Sequence, residues 1–161
     1  MQRVLVTGGT GFLGSSLVKR VLNNQEVEYV VVPTTNIKSK TSIDLMGIKS
    51  DRLNLIGGDV RDYDFVQRMF NEYEFDTIFH LGAMSEVRKC QSNAKLAYDT
   101  NIGGTINLLE TARMSEGISA IIVSSSDKAY GRCELPYSEE DPLDGKGIYE
   151  VSKSCQDLVA R

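Results

Sequence analysis

The sequence predicts an α/β fold of the doubly wound class, in which a parallel sheet carries helices on both faces. Three observations predict it. Short runs rich in valine and isoleucine alternate with longer stretches whose apolar residues recur at helical spacing. The helical stretches are long enough to act as crossovers, which makes the strands they join parallel. A glycine-rich turn, TGGTGFLG at residues 7–14, joins the first strand to the first helix. At 161 residues the chain fits one domain with a core of its own.

Arg3–Val6 reads as a buried strand. Phe12–Asn23 follows as a helix, with Leu13, Leu17 and Val21 spaced by four on one apolar face. Val27–Val32 is a second strand, ended by Pro33. The polar stretch 34–50 holds one turn of helix near Ile43–Met46. Leu53–Ile56 is a third strand. Asp62 is placed to cap a helix that runs through Tyr73 and buries Phe65, Met69 and Phe70. Thr77–Leu81 is a fourth strand, followed by a loop over 82–93. A long helix covers Ala94–Ser115, and Ile118–Ser124 is a fifth strand. A loop at 131–147 leads to a last helix from Ile148 to the end. The chain stops inside that helix, whereas a domain boundary normally falls in an exposed linker. The end therefore reads as cut.

Composition narrows the function. The formal net charge is −4, and the lysines and arginines are scattered. A nucleic-acid surface needs a basic patch, and an anionic membrane attracts a basic segment, so neither partner is expected. Cys90, Cys133 and Cys155 are odd in number and form no CxxC pair, so neither a disulfide framework nor a zinc site is expected, and no metal. Reduced thiols, the absence of a charged leader before an apolar run, and the lack of an apolar run approaching ~20 residues point to the cytoplasm.

The glycine turn is the first chemical signal. Gly9, Gly11 and Gly14 satisfy GxGxxG, and Gly8, Gly11 and Gly14 satisfy GxxGxxG. The turn follows a strand and opens a helix, the context in which the pattern binds a dinucleotide. Without a Cβ the turn can touch a pyrophosphate, and the free N–H groups of Phe12 and Leu13 face that anion at the positive end of the helix. No Gly-Lys-Ser/Thr ending follows, which excludes a nucleoside-triphosphate loop. The acidic residue that usually bonds the ribose 2′-hydroxyl is missing. Thr34, Thr35 and Asn36 could bond an unphosphorylated ribose, which favours NAD. Lys38 and Lys40 could instead meet a 2′-phosphate, which leaves NADP open.

The second signal is YEVSK at 149–153, which puts Tyr149 and Lys153 one helical turn apart on one face. A free phenol is about one part in a thousand ionised at neutral pH, and a nearby ammonium favours the phenolate. The third is VSSSDKAYG at 123–131, at the carboxyl end of the fifth strand. Ligands of open α/β sheets lie at those ends, where the glycine turn, Leu81-Gly82-Ala83 and Ser126 would meet.

With TGGTGFLG, HLGA, SSSDKAYG and YEVSK in this order, the chain resembles the extended short-chain dehydrogenase/reductases. Within them it is most similar to the nucleotide-sugar epimerase/dehydratase branch, and there to the CDP-glucose and GDP-mannose 4,6-dehydratases. The resemblance implies a Rossmann domain over 1–161, incomplete after the YxxxK helix, with a substrate domain outside it. It implies that Asp59 and Val60 lie at the adenine, that Leu81, Gly82, Ala83 and Ser124 line the cofactor, and that Asn101 stands on the long helix. Gly103 and Gly104 nearby suggest close packing. His80, in HLGA, reads as structural. HLGA replaces the usual HLAA, and MSEVRKCQSNA departs from the loop that usually touches the sugar.

The resemblance also implies the chemistry. Tyr149, helped by Ser126 and Lys153, removes the proton of the sugar 4-hydroxyl as hydride leaves C4 for the nicotinamide. Lys128 takes the C5 proton, Asp127 protonates the departing 6-hydroxyl, and hydride returns to C6. An acid after the serine marks dehydratases, and small neutral residues mark epimerases. A nucleotide-sugar 4,6-dehydratase is therefore expected. A 4-epimerase and a non-catalytic dinucleotide-binding module stay open. The chain alone is expected to be inactive, and a second copy of it is open as a partner.

Overall fold

A computed structural model describes residues 2–132 and 135–161; Cys133 lies outside them. Five strands form one parallel sheet: β1 Gln2–Thr7, β2 Val27–Thr34, β3 Leu53–Gly57, β4 Thr77–His80 and β5 Ala120–Val123. Their order is β3-β2-β1-β4-β5. The order reverses direction between β1 and β4, so the carboxyl ends of those two strands open the crevice where such sheets bind ligands.

Alternation along the strands divides the core into two layers. Val4 and Val6 of β1, with Val30 and Val32 of β2, face α1 (Phe12–Leu22) and α2 (Ser42–Leu45). Leu5, Val31 and Ile78 face Val66, Met69 and Phe70 of α3 (Tyr63–Tyr73). Asp62 caps α3 as expected, its Oδ1 accepting the Phe65 N–H at 3.0 Å. Val66 is buried there, while Phe65 is only half-buried.

Several further expectations are corrected. Along α1, Gly14, Ser15, Val18 and Leu22 are buried, and Leu17 and Val21 pack half-buried against the same core as expected, but Leu13 is exposed. Gly14 must face the turn it abuts, and that turns Leu13 outward. Strand β2 runs through Pro33 instead of ending there. The β1–β2 ladder stops at Leu5–Val31, so the missing N–H of Pro33 costs no ladder bond. The expected loop over 82–93 contains a helix, α4 (Val87–Ser92). The expected long helix is α5 (Ala94–Tyr98) and α6 (Gly104–Met114), joined by a π-helical segment at Asp99–Gly103. Gly104 is packed closely, since a Cβ there would lie 2.8 Å from Val60, but a Cβ on Gly103 would meet nothing within 4 Å.

A 3₁₀ turn at Asp127–Tyr130 follows β5, and α7 (Ile148–Ala160) ends the chain. Glu150 fixes the start of α7 by accepting the N–H groups of Lys146 and Gly147, each at 2.9 Å. No helix among the described residues is long and apolar enough to cross a membrane.

Candidate active site

The glycine turn leaves the amino end of α1 open. Gly8 sits at φ +69°, a conformation that side chains rarely adopt. A Cβ on Gly14 would lie 2.2 Å from the Gly8 carbonyl oxygen, so only glycine lets α1 press on the turn. Gly11 is different: a Cβ there would meet only Gly8 O, at 3.3 Å. No side chain caps the helix. Its first N–H groups have no carbonyl four residues back, and Phe12 and Leu13 beside them are 91% and 62% exposed. This cradle fits a pyrophosphate.

Two cavities of about 450 Å³ each share Gly8, Thr10, Ala83 and Ser85 and so form one trough along the carboxyl edge of the sheet. One arm adds Thr34, Asp59, Val60, Arg61 and Gly82. The other adds Gly11, Phe12, Leu13, Gly14, Leu81, Ser124, Ser125, Tyr149 and Lys153. The cofactor positions expected at the glycine turn, at 59–60, at 81–83 and at Ser124, Tyr149 and Lys153 line one arm or the other, whereas Asn36, Lys38 and Lys40 line neither. In the first arm Arg61 grips Asp59, Nε donating to Oδ1 at 3.0 Å and to Oδ2 at 2.9 Å, and this holds the carboxyl below the usual carboxylate range. Pro33 and Thr34 line the arm at the strand end where a ribose-binding acid would usually stand.

Lys153 is 3% exposed. Its Nζ donates to Ser124 O at 2.6 Å and to Gln156 Oε1. Burial pulls its pKa down to about 8, against a smaller pull upward from Asp157. His80 lines neither arm. It is fully buried, with Nδ1 2.7 Å from Thr7 Oγ1 and Nε2 2.8 Å from Thr105 Oγ1. Burial, and then the Lys153 charge, push its pKa down to about 4. His80 is thus a neutral structural group.

His80 is the only histidine in the sequence, so its ring resonances can be followed without ambiguity. Their midpoint is expected near 4. Stability should fall as pH drops from about 6.5 towards 4, because in that window the unfolded imidazole takes a proton that the buried ring refuses. The full loss is on the order of 3 kcal/mol. A midpoint near the ordinary histidine value would show a solvated ring instead.

Asn101 lies in the π segment, the kind of helix irregularity found often at functional sites. It is fully buried. Its Oδ1 accepts the Met84 N–H at 2.7 Å, and its Nδ2 donates to Met84 O at 3.1 Å and to Ser152 Oγ at 2.9 Å. Ser152 in turn donates to Tyr149 O at 2.7 Å. The amide therefore ties the segment after β4 to the helix that carries Tyr149.

Ser126, Asp127 and Lys128 do not line the trough. Ser126 caps the 3₁₀ turn by accepting the Lys128 N–H at 3.2 Å, and its hydroxyl donates to Asp127 Oδ1 at 3.3 Å. Asp127 and Lys128 form an exposed ion pair at 3.2 Å. Lys128 holds the Asp127 carboxyl low, and Asp127 raises the Lys128 ammonium. Both shifts oppose the roles of acid and base, respectively.

Sequence reading missed Gln156, Ser152 and Thr105. The signal was present. Tyr149, Ser152, Lys153 and Gln156 are spaced i, i+3, i+4, i+7, a polar stripe on one helix face.

A family model described as GDP-mannose 4,6 dehydratase matches residues 5–161. The chain is 31% identical to a UDP-glucose 4-epimerase of Neisseria meningitidis, covering 99% of this chain and 47% of that protein. It is 30% identical to a CDP-glucose 4,6-dehydratase of Salmonella typhimurium, covering 99% of this chain and 44% of that one. Its fold superposes with a TM-score of 0.86 and 31% identity on a dTDP-glucose 4,6-dehydratase from Streptomyces venezuelae, solved with NAD and TYD bound. That match covers 98% of this chain and 50% of the other. The chain thus spans about half the length of the relatives it matches.

Proposed function

Because the chain belongs to the GDP-mannose 4,6 dehydratase family, we propose that it is the dinucleotide-holding part of a nucleotide-sugar 4,6-dehydratase, a lyase whose substrate domain lies in a further segment. The observation that carries this reading is the convergence of the glycine turn, Tyr149 and Lys153 on one cavity. The open end of α1 and the space in front of Gly11 hold the pyrophosphate.

A bound nicotinamide dinucleotide supplies the acceptor and later donor of hydride. Tyr149 removes the proton of the sugar 4-hydroxyl, with the Lys153 ammonium one helical turn away favouring the phenolate. Ser126 assists at the hydroxyl. Lys128 takes the C5 proton and Asp127 protonates the departing 6-hydroxyl. These last two groups stand in an ion pair that substrate and the remainder of the protein must dry and part. The pair favours a second reading, 4-epimerisation, which needs only Tyr149 and hydride return to the opposite face.

The test is product analysis with a protein of the relatives' full length and sugars on different nucleotides. A 4-keto-6-deoxy sugar is expected; a 4-epimer as sole product would establish the second reading. The cofactor is proposed to be NAD, as in the Streptomyces dehydratase structure. Competition titration of the chain is expected to favour NAD over NADP, since Thr34 and Thr35 offer hydroxyls to an unphosphorylated ribose. The reverse order would assign Lys38 and Lys40 to a 2′-phosphate.

A further inference from the structure

We propose that Gln156 is a positioning residue that fixes the Lys153 ammonium in the trough by accepting one of its N–H groups while its own amide is anchored on Thr105. The inference deepens the role given above to Tyr149 and Lys153 and rests on it.

The hydrogen-bond directions follow from counting protons. The Thr105 hydroxyl has one, and it goes to Asn101 O at 2.7 Å. Towards its other partners Thr105 Oγ1 can only accept. It accepts from Gln156 Nε2 at 2.8 Å and from His80 Nε2 at 2.8 Å. Turning the Gln156 amide over would set its oxygen against an oxygen with no proton to give, and its NH₂ against the Lys153 ammonium. The amide orientation is therefore forced. The same count puts the His80 proton on Nε2, so Nδ1 accepts from Thr7 Oγ1, which accepts the Gly82 N–H at 3.0 Å. A connected chain links the exit of β4, Thr7, His80, Thr105, Gln156 and Lys153; from both ends the bonds donate towards Thr105, whose own proton goes to Asn101 O.

An ammonium carries three N–H groups. Ser124 O takes one and Gln156 Oε1 takes another, which leaves the third for the trough that Lys153 lines. Two acceptors define the direction of the third bond; one would leave the head free to swing about it. They also offset part of the penalty for burying the charge. The other titratable groups around Lys153 are Asp157 and Tyr149 on α7 and neutral His80 on β4.

The test uses the whole chain labelled at lysine Cε and Nζ, with the Lys153 resonance identified by its loss in Lys153→Arg. Gln156→Met keeps the shape and removes the acceptor. Gln156→Glu keeps the acceptor and adds charge. The proton affinity of Lys153 is expected to fall about tenfold or more in Gln156→Met and to rise in Gln156→Glu. A role in packing alone would lower thermal stability and leave the Lys153 titration of Gln156→Met unchanged, whereas the added charge of Gln156→Glu raises it in either case. Unchanged titration in Gln156→Met, or a fall in Gln156→Glu, overturns the proposal. If Gln156→Met does not fold, the same fall is required of Gln156→Leu. Failure of the Tyr149–Lys153 reading shows separately, as undiminished sugar oxidation by Lys153→Met in the longer protein while the two titration shifts persist.

Discussion

Gly11→Val is expected to fold as the parent chain does and to bind dinucleotide at least about 100-fold more weakly, a loss of roughly 3 kcal/mol. The two halves of that expectation have different causes. Within the protein a Cβ at Gly11 meets one atom, at 3.3 Å, and Gly11 already has the extended backbone open to any residue. A valine there would fill the trough in front of the free N–H groups of α1, where a pyrophosphate must approach. Gly14→Val is the contrast. Its Cβ would sit 2.2 Å from the Gly8 carbonyl oxygen, so α1 would have to leave the turn and stability would fall by 1–3 kcal/mol or more. Calorimetric titration beside thermal unfolding separates the two. Equal affinity in the parent chain and Gly11→Val would remove the turn from the binding site.

Asp127→Asn, made in a protein of the relatives' full length, is expected to slow loss of water by 10²–10⁴, the usual contribution of a positioned acid. Oxidation at C4 should persist, so single-turnover absorbance should rise and then stay. The geometry makes the experiment sharp. Asp127 is exposed, with Lys128 Nζ at 3.2 Å and the Ser126 hydroxyl at 3.3 Å, and its carboxyl is held ionised. It can give a proton only if a closed, drier site raises its affinity for one. Dehydration at the parent rate in Asp127→Asn would make the pair an ordinary surface ion pair, worth at most about 1 kcal/mol, and would put 4-epimerisation first.

The parts of the structure that could be read from the sequence are those governed by local chemistry. The glycines at 8, 11 and 14, the cap at Asp62 and the buried runs of β1 and β2 each follow from neighbours along the chain. The misread parts depend on distant groups. Leu13 fits the apolar row of α1 by spacing, and Leu17 and Val21 of that row do meet the core, but the close approach of Gly14 to the turn leaves Leu13 outside it. Nothing in the spacing of 94–115 announces the π segment, because its companion is Met84, held by the Asn101 amide. Thr105 and Gln156 look like unremarkable polar residues until the fold brings them together 51 positions apart. In the candidate site, Tyr149 and Lys153 could be read as a pair, and the stripe that includes Ser152 and Gln156 could have extended it.

Strand β5 pairs with β4 alone among the described residues. Its four residues, Ala-Ile-Ile-Val, include no charge and no proline, and Ile122 is 46% exposed. Natural edge strands are usually guarded by lysine, by proline or by a bulge, because a bare row of peptide groups templates any strand it meets. This rim has none of those guards within it. The opposite edge, β3, pairs with β2 alone among the described residues and is likewise without charge or proline, so the isolated chain has two such rims. A lysine placed at Ile122 would guard the β5 rim without touching the trough.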